Sequence, residues 1–149
     1  NFCNKIRAGK NAQRTEEFMI IARIESLILE KGQEDALQRA AAYVSAGADA
    51  IMIHSRQKSP EEIFEFCDRF RRQDKNTPLV VVPTSFNSVT EAELAQHGVN
   101  IVIYANQLTR SAFPAMQSTA VEILKNHRAL EVDAKLMPFQ EIITLIDDM

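Results

Sequence analysis

Arg23 stands inside an otherwise apolar run, residues 18–24 (FMIIARI). A cation in such a run is costly unless its charge is matched. Its planar fork of N–H donors suits a carboxylate or a phosphoryl group, bound through paired hydrogen bonds. Glu25 lies two residues on and shares the face of Arg23 if the run is a strand, so a structural ion pair is the competing assignment. Three further apolar runs also end in polar residues. Residues 50–54 (AIMIH) lead into Ser55 and Arg56, residues 79–83 (LVVVP) into Thr84 and Ser85, and residues 100–105 (NIVIYA) into Asn106, with Arg110 beyond. His54 suits general acid/base work or anion binding, or is a core histidine with both nitrogens satisfied. Thr84 either faces a ligand or ends its strand. Asn106 either faces a ligand or caps the next helix. Glu25 could hold a metal-bound water, although one carboxylate is a sparse metal signal.

These residues need a scaffold that brings four chain segments to one end. The four runs are continuous in apolar character rather than alternating, as strands buried on both faces are. Helical segments separate them. Residues 33–46 place Leu37, Ala40, Ala41 and Val44 on one face, closed by Gly47. Ser59-Pro60-Glu61-Glu62 carries the signs of an N-cap serine, a first-turn proline and a capping-box glutamate. Ile63, Phe66, Cys67 and Phe70 then follow at helical spacing. Thr90-Glu91-Ala92-Glu93 is a second capping box, and Gly98 a helix stop. Residues 111–126 carry Phe113, Met116, Ala120 and Leu124 on a stripe, and a last helix starts at Pro138 and runs through Ile142 and Leu145. Residues 127–137 are the least patterned. The order is a helix, then βα four times, then a short helix. This implies an α/β fold with parallel strands and right-handed crossovers. Four βα units make half of an eight-unit barrel or a small open sheet, and periodicity does not separate the two. In either, the carboxyl ends of the strands form the ligand face.

The 149 residues are 46% hydrophobic and 25% charged, with a formal net charge of −3. That is ordinary globular composition, read as a single domain over residues 1–149 with no linker. Nothing in the balance asks for nucleic acid. The basic cluster Arg69, Arg71 and Arg72 is interleaved with acids and reads as a solvated helix face. His97 and His127 lie near helix ends and read as structural. The apolar runs are too short to span a membrane. Cys3 and Cys67 have no metal-ligand spacing, and Cys67 falls in an apolar stripe, which favours a reducing, cytoplasmic setting. With four glycines in all, no dinucleotide fingerprint or Walker loop occurs. The chain opens as if within a helix, without Met, and is expected to be a part of something longer. Otherwise the open edge strands of a free half-barrel call for self-association.

Four blocks in order, IIARIESLI, ALQRAAAYVSAGADAIMIHSRQKSPEEI, LVVVPT and GVNIVIYANQLTRSAFPAM, with MPFQEIITLI near the end, resemble the phosphoenolpyruvate mutases. The resemblance covers almost the whole chain. In the wider superfamily, isocitrate and methylisocitrate lyases usually read A-R-T-D where this chain reads Ala22-Arg23-Ile24-Glu25. The A-R-x-E form is similar to that of mutases and phosphonopyruvate hydrolases, and points from C–C to P–C chemistry.

The resemblance implies the carboxyl-terminal half of a (β/α)₈ barrel of the TIM type, the amino-terminal half being absent from these residues. It implies interconversion of phosphoenolpyruvate and phosphonopyruvate with Mg²⁺, in a homo-oligomer that exchanges its last helix. Arg23 matches the arginine that binds the phosphoryl end of the substrate and His54 an active-site histidine. Thr84, Asn106 and Glu25 match positions near the pocket, Glu25 reaching metal through water at most. The family's metal-binding aspartates, phosphoryl-binding serine loop and gating loop belong to the other half, so the chain alone is expected to be inactive. Phosphonopyruvate hydrolase is the alternative enzyme, and a non-catalytic half-barrel serving assembly or regulation is the alternative of another class.

Overall fold

Asp49 joins the first helix to the first two strands. Its Oδ2 accepts the Ile20 N–H at 2.8 Å, and its Oδ1 accepts from Lys10 Nζ at 2.8 Å. The ladder starts just after these contacts, which is why the first strand is shorter than its apolar run. The computed structural model describes residues 2–145. The order is α1 (Phe2–Ala12), β1 (Ile21–Ile24), α2 (Gly32–Ser45), β2 (Ala50–Ile53), α3 (Glu61–Gln73), β3 (Leu79–Val81), α4 (Glu91–Gln96), β4 (Ile101–Val102), α5 (Gln107–Asn126) and α6 (Phe139–Ile143). A 3₁₀ turn at Leu130–Lys135 fills the unpatterned segment. The described residues group into two compact units that divide after Ala105.

The sheet lies in the first unit. Its strand order is β1-β2-β3-β4, and every neighbouring pair is parallel. Arg23 is level with Met52, and Ile24 with Ile53. Parallel strands in sequence order, alternating with helices, are the half-barrel architecture that the family resemblance implies. On β1 the faces alternate: Ala22 and Ile24 are buried, whereas Ile21 and Arg23 are exposed. The buried face packs on Ala36, Leu37 and Ala40 of α2 and Ile63, Phe66 and Phe70 of α3 as one core. Burying each large apolar side chain there contributes about 1.5–3 kcal/mol. Cys67 is part of this core, and burial pushes its thiol up to about 12, which makes it an inert packing residue.

Helix ends follow the sequence in one case and depart from it in another. Thr90 and Glu93 close a full capping box, with Glu93 N–H donating to Thr90 Oγ1 at 3.2 Å and Thr90 N–H to Glu93 Oε2 at 2.8 Å. Ser59 Oγ accepts the Glu61 N–H at 3.4 Å, but the capping box expected with Glu62 does not form. Pro60 takes the N-cap position, and the Glu62 carboxylate is held by the Ser55 hydroxyl instead of reaching back. Arg71 is no part of a solvated face. Its guanidinium donates to the Gly98 carbonyl at 2.7 Å, to the Thr77 carbonyl at 2.8 Å and to Asn100 Oδ1 at 2.7 Å. His97 is structural as expected, stacked on Phe64 and bonded through Nδ1 to Asp68 Oδ1 at 2.8 Å.

In the second unit α5 starts at Gln107, four residues before the start that its stripe suggests. No α5 side chain is buried among the described residues, and Phe113, Met116 and Leu124 are exposed. The apolar stripe is real, but nothing described covers it. His127 ends α5 in a left-handed conformation. Val132 is buried in the 3₁₀ turn.

Candidate functional site

Arg23, Glu25 and His54 meet at the carboxyl ends of β1 and β2. Parallel register sets them there, since Ile24 and Ile53 are partners and Glu25 and His54 each follow one step later. The Arg23 Nε–H donates to Glu25 Oε1, and its Nη2 donates to His54 Nδ1. Glu25 Oε1 also lies 3.7 Å from His54 Nδ1. The ion pair weighed against a ligand role for Arg23 is therefore present. It does not exhaust the guanidinium, because Nη1 has no hydrogen-bond partner among the described residues and keeps its donors for an anion.

His54 is held below the ordinary imidazole value of 6.5, first by burial and then by the neighbouring Arg23 charge, with Glu25 opposing. A neutral ring that accepts at Nδ1 carries its proton on Nε2. Nε2 is thus left as a donor. Arg23 and Glu25 also wall a cleft of about 240 Å³ that Lys31 and Arg39 help to line. The charge available to a ligand there is mixed, with the Arg39 guanidinium already held by Asp35.

The other sequence candidates make no hydrogen bond to this cluster among the described residues. Thr84 sits in a turn after β3, where its N–H donates to the Val82 carbonyl at 2.8 Å. Its hydroxyl has no hydrogen-bond partner among the described residues, so it neither joins Arg23 and His54 nor ties the local backbone through its side chain. Asn106 belongs to the second unit, at the amino end of α5. Its side chain makes no cap bond, and its Oδ1 is buried without a partner among the described residues. The capping alternative for Asn106 therefore fails in its side chain although not in its position. Glu25 is the one carboxylate of the cluster, and Arg23 engages it. Among the described residues no group of three or more His, Cys, Asp or Glu could hold a metal ion. The residues present do not by themselves fit a Mg²⁺ site.

Two serines beside the cluster are buried, Ser26, which no sequence feature singles out, and Ser55, named as a strand-end residue but without its partner. The signal available was the strand alternation itself. A residue next to a ligand-facing one points to the helices, and a serine there needs a partner.

A half-barrel whose polar cluster gathers at the strand carboxyl ends defines the class of scaffold. Residues 1–124 match the profile of the phosphoenolpyruvate phosphomutase family, and the chain belongs to that family. Phosphonopyruvate hydrolase from Variovorax sp. (strain Pal2) is 43% identical over 99% of this chain and 50% of its own length. The crystal structure of phosphoenolpyruvate phosphomutase from Streptomyces platensis subsp. rosaceus superposes with a TM-score of 0.89 at 39% identity, over 95% of this chain and 48% of that one. A crystal structure of phosphonopyruvate hydrolase in complex with oxalate and Mg²⁺ gives 0.87 at 43% identity, over 95% and 50%. The chain spans about half the length of the curated relatives it matches. No helix among the described residues is long and apolar enough to cross a membrane.

Proposed function

We propose that these residues form the carboxyl-terminal half of a (β/α)₈ barrel and supply part of the substrate site of a phosphoenolpyruvate mutase. The whole protein would interconvert phosphoenolpyruvate and phosphonopyruvate, making or breaking a P–C bond. The observation that carries the reading is the Arg23–Glu25–His54 cluster at the strand carboxyl ends. In it Arg23 binds the phosphoryl oxygens through its Nη1 N–H groups, and neutral His54 donates from Nε2 to the same anion. A phosphoryl group in transfer spreads negative charge over its oxygens, and fixed donors lower the barrier without reorganising. Glu25 keeps the guanidinium planar to the site and offsets its charge when no substrate is bound. Thr84 and Asn106 are proposed as outer contacts of the substrate.

The Mg²⁺-bound hydrolase relative supports Mg²⁺ as the cofactor of the whole protein. When bound, it would polarise the pyruvyl oxygens. Its ligands would come from the half of the barrel outside this sequence, with Glu25 touching at most a metal-bound water. A cytoplasmic homo-oligomer that exchanges its last helix completes the reading.

Hydrolysis of phosphonopyruvate is the second reading, favoured by the 43% identity to a hydrolase against 39% to a mutase. Incubating the full-length protein with phosphonopyruvate and Mg²⁺ under ³¹P NMR separates the readings. Phosphoenolpyruvate as product supports the mutase; inorganic phosphate with pyruvate supports the hydrolase. A substrate signal unchanged over hours in a folded protein rules out both.

A further inference from the structure

Ser26 and Ser55 are the fully buried polar residues among those described, at 2% and 1% exposure. Each directly follows a member of the cluster, Glu25 or His54. Consecutive residues at a strand end point to opposite faces, and here the serine hydroxyls bond to helix residues while Arg23, Glu25 and His54 bond to one another. Ser26 Oγ donates to Asp35 Oδ2 on α2 at 2.6 Å. Ser55 Oγ donates to the Glu62 carboxylate in the first turn of α3 and accepts the Gln57 N–H at 2.9 Å. The Asp35 carboxylate is itself braced by Arg39, and the backbone of Glu62 is tied to α2 by Gln33. Arg39 donates to Asp35 through Nε at 2.6 Å and Nη2 at 3.2 Å, and Gln33 Nε2 donates to the Glu62 carbonyl at 2.7 Å.

We propose that the Ser26–Asp35 and Ser55–Glu62 pairs are matched latches, and that both serines are positioning residues for the Arg23–Glu25–His54 cluster. The repetition is what separates a latch from incidental core polarity. Two neighbouring strands, in register, use the same device at the same level: a hydroxyl on the helix face tied to a carboxylate on the following helix. Alanine at either position would pack without loss of volume beyond one oxygen, so the hydroxyl contributes direction more than burial. With each strand end fixed to its helix, the side chains on the opposite face keep the 3.7 Å spacing of Glu25 to His54. The catalytic meaning of the latches rests on the functional reading above; their geometry does not.

The test follows the His54 imidazole by ¹⁵N NMR titration in the full chain. The charged groups acting on it are Arg23, Glu25 and Arg56. In Ser55→Ala the His54 value is expected to rise by about half a unit or more toward 6.5, as the strand end loosens and water enters. Glu62→Ala, at a half-buried position of α3, is expected to give the same rise and to remain folded if Ser55→Ala does not. The double variant adds nothing further, because both changes open one latch, and Ser55→Thr restores the original titration. Ser26→Ala and Asp35→Ala repeat the test on the other strand. An unmoved His54 titration in Glu62→Ala and Asp35→Ala overturns the proposal, as does full additivity in the double variant. If the latches hold while Arg23→Ala leaves phosphonopyruvate turnover unchanged in the full-length protein, the functional reading fails and the latches stand.

Discussion

Arg23 and His54 face one another from neighbouring parallel strands, Nη2 against Nδ1. The contact couples a permanent cation to a ring that must stay neutral to accept from it. Arg23→Ala is therefore expected to change two things at once. Turnover in the full-length protein should fall by about 10²- to 10³-fold, the scale of losing a fixed donor at a developing anion. The His54 value should rise, since a neighbouring positive charge that depresses it is gone. Steady-state kinetics and an NMR titration check the two halves, and unchanged turnover would reduce Arg23 to a structural ion pair.

The same depressed value makes His54 a source of acid sensitivity. The native state binds fewer protons than the unfolded chain between the lowered value and 6.5. Stability from this group is then complete above pH 6.5 and is lost as pH falls through the folded value. Urea midpoints measured from pH 8 to pH 5 should slope downward, and His54→Gln should flatten that slope. Equal slopes in both proteins would contradict the assignment.

Asp49 is expected to be a stability hot point. It accepts from Lys10 and from the Ile20 backbone at once, at 2.8 Å each, and leaves two donors unpaired when removed. Asp49→Ala should cost about 1–3 kcal/mol by urea denaturation. A midpoint within error of the parent would show that solvent replaces both bonds.

Gly98 adopts φ +79°, and a Cβ built on it would meet Arg71 Nε at 2.6 Å. Gly98→Ala should cost about 1–3 kcal/mol, combining left-handed backbone strain with displacement of the arginine. Arg71→Ala should lose a similar amount by freeing the Gly98 and Thr77 carbonyls. Comparing the double variant with the two singles checks the shared mechanism, which requires less than additive loss.

The 149-residue chain by itself is expected to self-associate. β1 and β4 are the sheet edges among the described residues, and Ile21 on the first, with Phe18 and Met19 just before it, is exposed. Apolar edges seek further strands. Sedimentation velocity over a range of concentrations checks this, and a monomer at all of them would overturn it.

Much of the site was legible because charge inside an apolar run is conspicuous. Arg23, Glu25 and His54 declare themselves by type and by position at strand ends, and parallel pairing brings strand ends together. The Thr90 capping box was equally readable, since all its parts lie within four residues. What escaped depends on distance across the fold. Ser26 meets a partner nine residues away and Ser55 one seven away, through turns whose geometry no short motif encodes. Arg71 looked solvated because its acceptors are backbone carbonyls at residues 74, 77 and 98, which no side-chain pattern reports. Ser59 reaches the first turn of α3 through the Glu61 N–H, but Glu62 bonds to Ser55 and so does not complete the capping box. The strands proved shorter than their apolar runs because residues such as Phe18 and Met19 precede the ladder.

Arg71 and the His54 cluster occupy opposite ends of the same sheet. The arginine rivets the loops that enter β3 and β4, while the cluster sits where β1 and β2 exit. A mutation that retools the exit loops need not disturb the rivet, and drift at the rivet need not reach the reacting groups. Such a layout lets selection explore new substrates at one end while the other keeps the chain folded, an insulation that favours evolutionary divergence of chemistry on a constant frame.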